Sequence, residues 1–263
     1  MTAKLTKDYI LSQIKTDKRN DGRKLDVFRD ITIETGISAN AEGSARVKVG
    51  KTEIIAGIKM DIATPYPDSA DKGVLTSSAE FLPLAAPEFE AGRPGDTEVE
   101  LGRVVDRGIR EAGVIDFKKL CLVEGEKVWR VFLDILVINH DGNLIDASGI
   151  AAMAAILDAK MPSIDKDDVI DYKNRKDKLP TQTFVLPITI RKSEDKLIVD
   201  ATADEEEVFT TRITITTNEK GNISSMQKGG PGGFTTEEIV KVSKMAQKLG
   251  AEIRNKHFKN LIK

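Results

Sequence analysis

Hydrophobic and polar residues alternate along much of the chain from Ile31 to Ala63. The stretches ITIETG, SARVKVG and TEIIAGIKMDIA carry β-branched side chains in that alternation and predict three strands. Gly50-Lys51 separates the last two as a hairpin break. Ahead of them, LTKDYILSQIK has helical spacing and ends before Asn20-Asp21-Gly22, a turn signal. Behind them, the prolines and glycines of residues 64–96 predict long irregular loops around one short strand near LTSSAEFL, and loops of that length usually serve binding or assembly.

The period then changes. From about Thr97 to Ala112 the spacing predicts a helix with Leu101, Val104, Val105, Ile109 and Ala112 on its buried side. Arg103, Arg107 and Arg110 fall within an arc of about 60° on the other side. They form either a solvated face paired with Glu100, Asp106 and Glu111, or a clamp for an anion, since guanidinium forks match phosphate oxygens. Next, KKLCLV and VWRVFLDILVINHDGNLID read as strands turned at Asp141-Gly142, and ASGIAAMAAILDA as a helix buried on nearly every side. The charged stretch SIDKDDVIDYKNRKDKLP reads as a boundary. Beyond it, FVLPITIRK, KLIVDATAD, TRITITTN and ISSMQKGG predict four strands, and GFTTEEIVKVSKMAQKLGAEIRNK a long helix opened by a Thr235/Glu238 capping box. The fold class is α+β: two packed β–α units after an N-terminal helix, divided as residues 1–28, 29–165 and 180–259.

Composition narrows the chemistry. The 263 residues carry 40 Lys and Arg against 42 Asp and Glu, so a generally basic protein that coats nucleic acid is excluded and any phosphate site is local or shared with another chain. The single cysteine, Cys121, lies in an apolar run and is expected to be buried and reduced, which suits a cytoplasmic location. No apolar run approaches the roughly 20 residues of a membrane span. His140 and His257 are far apart in sequence, without a cysteine cluster, and read as surface residues rather than zinc ligands or members of a triad.

Two further stretches invite a chemical reading. Asp200, Asp204, Glu205, Glu206 and Glu207 could hold magnesium or act as acid and base, or could form a solvated turn. The loop KGGPGGF precedes a helix N-terminus, where backbone N–H groups can bind phosphate. No Gly-Lys-Ser/Thr follows it and Pro231 lacks a donor, so it also reads as a flexible connection.

Taken in order, RNDGRKLDVFRDI, SARVKVGKTEIIAGIK, ELGRVVDRGIREAGVID, VWRVFLDILVINHDGNLIDAS and LIVDATADEEE resemble the RNase PH family of phosphorolytic exoribonucleases over residues 19 to 256. Within it, the likeness is greatest to the non-catalytic ring subunits of archaeal exosomes. The resemblance implies an RNase PH fold, related to the ribosomal protein S5 domain 2-like fold. It also implies a heterodimer with a catalytic RNase PH-like subunit, three such heterodimers in a hexameric ring, RNA-binding cap proteins and a single-stranded RNA substrate. Active relatives carry Glu-Asp-x-x-Gly-x-x-Asp. Register from Asp200 sets that motif on Glu205 to Arg212, so Glu206 replaces the first aspartate and Arg212 the second. Arginine cannot serve as base or metal ligand there. The hydroxyls of the phosphate-binding loop are likewise displaced past Phe234.

The chain is thus expected to be non-catalytic and without a cofactor of its own, inorganic phosphate and a candidate magnesium ion being used by the partner. The resemblance makes Arg103 and Arg107 contacts to RNA phosphates across the subunit interface. Arg110 either extends the clamp or pairs with Glu111. The alternatives are an active phosphorolytic enzyme using Asp204 or Glu206, and a scaffold that never touches RNA.

Overall fold

A computed structural model describes residues 4–165, 169–259 and 261. After helix α1 (Lys4–Lys15), strands β1 (Ile31–Thr35), β2 (Gly43–Val49), β3 (Thr52–Ala63) and β4 (Val74–Phe81) precede helix α2 (Asp96–Ala112). Strands β5 (Cys121–Val123) and β6 (Lys127–Asn139) lead into helix α3 (Leu144–Asp158). Together β1 to β6 form one sheet, in the order β1-β2-β3-β6-β4 with β5 also on β6. All pairs are antiparallel except β4 with β6. The Gly50-Lys51 hairpin forms, with Val49 opposite Thr52 and Gly50 in the left-handed region at φ 58°.

The second sheet contains β9 (Val185–Ser193), β10 (Lys196–Val199), β11 (Thr211–Asn218) and β12 (Ile223–Gly229), in the order β10-β9-β11-β12. A short helix α4 (Ala203–Glu206) joins β10 to β11, and helix α5 (Thr236–Ile253) closes the chain with a wider turn, Arg254–Phe258. The Thr235 hydroxyl accepts from the Glu238 N–H at 3.2 Å and the Glu238 carboxylate accepts from the Thr235 N–H at 2.8 Å, the expected capping box.

Burial explains why the strands differ in pattern. Along β3, Ile54, Ala56, Ile58 and Met60 face the core and the residues between them do not, because helices cover one face only. Residues 185–190 of β9 are all buried, because α3 lies against one face of that strand and α5 against the other. Helix α3 is the shared layer between the two sheets. Its alanines are buried, and Gly149 lies so close to the Pro187 ring on β9 that a Cβ there would collide with it. One core therefore runs through both β–α units. A smaller cluster packs Ile10 and Ile14 of α1 against Ile198, Ala201 and Phe209.

Several local expectations are corrected. The first half of KKLCLV belongs to a 3₁₀ turn, Phe117–Leu120, and its second half, Cys121–Val123, is the strand. Cys121 is partly exposed rather than buried, since β5 is a short edge. No strand follows Asp141-Gly142: Asn143 takes a left-handed conformation (φ 55°) and α3 begins at once. The charged stretch read as a boundary folds into an antiparallel ribbon, β7 (Lys160–Ile164) with β8 (Ile170–Lys178), although its residues 166–168 lie outside the described residues.

Close packing of α3 yields a direct test. A Cβ on Gly43 of β2 would run into the Ala155 carbonyl and the Ala159 backbone. Gly43→Ala is therefore expected to destabilise the chain by about 1–3 kcal/mol, the usual cost of overpacking, measured by denaturant unfolding.

Candidate nucleic-acid interface

Helix α2 presents its arginines as its periodicity requires. Leu101, Val104, Val105 and Ile109 are buried, while Arg103, Arg107 and Arg110 are exposed. Gly102 and Gly108 are buried too, and at Gly108 the helix lies so near Thr216 of β11 that a Cβ would be tightly crowded. The helix ends at Gly113 in the left-handed region (φ 66°), whose N–H bonds the Arg110 carbonyl.

The three arginines are not equivalent. Arg110 pairs with Asp106 one turn back at 2.9 Å, not with Glu111, and also donates to the Leu75 carbonyl at 3.0 Å. Arg107 donates to the Gln227 amide oxygen of β12 at 3.2 Å and has no ion pair among the described residues. Arg103 has neither a hydrogen bond nor an ion pair among them. Glu100, expected to neutralise this face, instead accepts from Arg212 of β11 at 2.6 Å. Beside the helix lies an open groove of about 380 Å³, lined in part by Tyr66, Ser77, Ser78, Pro94, Arg103 and Arg110.

The acidic stretch is neither a solvated turn nor an open metal site. Asp200 is buried and left-handed (φ 46°). Its carboxylate accepts from the Arg29 N–H at 2.7 Å, from the Arg29 guanidinium at 2.7 and 2.9 Å, from Arg23 at 2.9 Å and from the Asn143 amide at 2.9 Å. Burial alone would raise this carboxyl, but the hydrogen bonds and charge of Arg29, then the charge of Arg23, hold it below its ordinary value. Glu205 is buried against Arg19, Glu206 pairs with Arg191 at 2.8 Å, and Glu207 pairs with Lys7 at 2.9 Å. Among the described residues no group of three or more His, Cys, Asp or Glu is arranged to hold a metal ion.

Glu206 and Arg212, which the resemblance sets against the catalytic pair of active relatives, line one small cavity of about 80 Å³ with Asn143, Thr189 and Arg191. The Arg191–Glu206 and Arg212–Glu100 pairs occupy it from both sides. Below it, Asp146 is completely buried and accepts from the Thr189 N–H at 2.9 Å and hydroxyl at 2.7 Å. Burial pushes its carboxyl up to about 7 against those bonds. The glycine loop is tied down: Gly232 donates to the Thr211 hydroxyl at 3.0 Å, and Gly230, at φ 79°, leaves no room for a Cβ beside the Thr210 carbonyl. His140 stacks on Phe89 at 5.4 Å and His257 is half-buried, so neither is a free surface residue.

Pattern reading missed Arg19, Arg23, Arg29 and Asn143 as partners of the acidic stretch. No periodicity could reveal them, because the residues that meet lie 57 to 186 positions apart. The only available signal was an acid-rich segment and a base-rich segment in a chain of nearly balanced charge.

Residues 27–162 match domain 1 of the 3′ exoribonuclease (RNase PH) family and residues 183–248 match its domain 2. The chain belongs to that family and has its fold. It is similar to the exosome complex component Rrp42 of Thermococcus onnurineus, with 46% identity over 97% of this chain and 94% of the relative. The component of the same name in Thermoplasma acidophilum is also 46% identical, over 98% and 96%. Among solved structures, a chain from the Archaeoglobus fulgidus exosome with RNA bound to the active site superposes with a TM-score of 0.90 at 39% identity, covering 96% of this chain and 97% of that one. A chain of an archaeal exosome core gives 0.85 at 36% identity, covering 96% of each.

The Asp200 cluster predicts an acid dependence. Because its folded pKa lies below the ordinary 3.8, its contribution is complete above that value and is lost as pH falls below it towards the folded pKa. Asp200→Asn should cost about 3–5 kcal/mol at neutral pH, as expected for breaking a buried ion pair. The gap between variant and parent should narrow at pH 3, as read by chemical denaturation at the two pH values.

Proposed function

We propose that this chain is a non-catalytic component of an exosome-type 3′→5′ RNA-degrading complex. It pairs with a catalytic RNase PH-like subunit, three such heterodimers form a hexameric ring, and RNA-binding cap proteins sit on one face. Its share of the work is to hold RNA phosphates and to help shape the partner's active site in the cytoplasm of an archaeon. The partner supplies the acid–base groups and uses inorganic phosphate, with magnesium as a candidate ion.

One contrast carries this reading. Arg212, set by the resemblance at the second catalytic position, is locked to Glu100 at 2.6 Å, while one helical turn from Glu100 the exposed Arg103 has no ion pair among the described residues. A site closed by two ion pairs has no free carboxylate to take a proton. An exposed guanidinium offers what a phosphodiester needs, a fixed charge and a fork of donors, and it reads no base. Arg107 supplies a second such group and Arg110, already paired with Asp106, contributes less. Holding the 3′ end in place is a large part of catalysis in phosphoryl transfer, so a subunit without chemistry of its own can still govern turnover. The likeness to the exosome component Rrp42 supports the same assignment.

Phosphate-dependent shortening of a 3′-labelled single-stranded RNA tests it. The chain alone is expected to be silent, and the mixture with the catalytic subunit active. Shortening by the chain alone, abolished by Glu206→Gln, would make it an enzyme instead. In the assembled complex, Arg103→Glu with Arg107→Glu should cut turnover at least tenfold, about 1.4 kcal/mol or more. Replacing both arginines by alanine should reduce the slope of log affinity against log salt by about 1.4, at about 0.7 for each phosphate no longer neutralised.

A further inference from the structure

Two acids on α2 stand within helical reach of Arg103: Glu100, three residues before it, and Asp106, three after it. Either would neutralise it if free. Neither is free. Asp106 accepts from the Arg110 guanidinium at 2.9 and 3.0 Å and from the Ser77 hydroxyl at 3.0 Å. Glu100 is drawn away from its own helix by Arg212 of β11 at 2.6 Å.

Arg212 is placed for this by the second sheet. It lies opposite Gly229 of β12, and its guanidinium lies across that glycine, where a Cβ would collide with it. The Arg212 side chain is only 14% exposed, and one terminal nitrogen is buried with no hydrogen-bond partner among the described residues. A buried donor left unmade is costly, so packing of the group alone does not account for an arginine at this position.

Resting on the reading proposed above, we infer that Arg212 is a positioning residue of the arginine surface: by holding the half-exposed Glu100 carboxylate against β11 it leaves the Arg103 charge uncompensated and available to an RNA phosphate. The position where active relatives keep an acid is thus put to a different use. Without Arg212, Glu100 turns back along α2, pairs with Arg103 and cancels the positive charge that the phosphate would meet. Arg107, two turns from Glu100, is affected less.

The test is a charge cycle in the complex assembled with its catalytic subunit, reading affinity for a 3′-labelled single-stranded RNA at several salt concentrations. Arg212→Gln should weaken binding about three- to tenfold and lower the salt slope, the size of effect expected from one mispaired charge near a phosphate site. Glu100→Gln alone should not weaken binding. The double variant Glu100→Gln/Arg212→Gln should restore parental affinity and slope, an outcome that a purely structural role for Arg212 does not produce. Gly229→Ala, which displaces the guanidinium without removing it, should repeat the Arg212→Gln phenotype and likewise be rescued by Glu100→Gln, which covers the case in which Arg212→Gln fails to assemble. Unchanged affinity in Arg212→Gln, or a double variant as weak as the single one, overturns the inference while the RNA-binding reading stands. If Arg103→Gln itself leaves affinity and slope unchanged, the reading beneath it falls, and the inference with it.

Discussion

A carboxylate removed from water loses hydration worth several kcal/mol, and it persists as a charge only where other groups replace that hydration. At Asp200 the replacement comes from two separate stretches of chain: the N-terminal segment gives the Arg23 and Arg29 guanidinium groups and the Arg29 N–H, and the start of α3 gives the Asn143 amide. Much of the molecule is arranged around this demand. The left-handed turn at Asp200 redirects the chain from β10 into α4, which aims Glu205 at Arg19 and Glu206 at Arg191. Arg29 reaches further, to the Asp141 carbonyl at 2.7 Å, and so fixes the turn from which α3 departs. The N-terminal segment, the layer between the sheets and the second sheet are thereby set relative to one another by charge as well as by apolar packing.

The same economy of charge shapes α2. A chain with net charge −2 cannot create a positive surface by excess of base. It can do so by placing its acids. Glu100 is held by the second sheet and Asp106 by the next turn of the helix, which leaves Arg103 and Arg107 without an acidic partner among the described residues, on a molecule whose net charge is negative. Short-range placement of this kind survives physiological salt better than a diffuse basic field, because the distances involved are well inside a screening length of about 8 Å.

What could be read in the sequence was whatever depends on neighbours within a few turns. β3 shows its one covered face as alternation, α3 shows its burial between two layers as an unbroken apolar run, and α2 shows its two faces as a spacing of three and four. The arginine row was legible for that reason. The start of α3 was not, because it rests on Asn143 in a left-handed conformation whose N–H is met by Glu206 from another unit. Nor was the β7–β8 ribbon, which lies on the surface with little buried and so has no need of alternation. The resemblance to the RNase PH family supplied what periodicity could not, the meaning of an acid replaced by Arg212.

The doubly covered α3 has a consequence for how the protein is made. The first sheet and α3 leave the ribosome before β9 has been synthesised, and at about 5–20 residues per second the interval lasts seconds. During that time the nascent chain carries a helix of alanines and isoleucines with one side bare. The N-terminal arginines wait still longer for their carboxylate. Exposed apolar surface of that kind is what promotes aggregation in incomplete chains, and here it is covered only when the second sheet arrives.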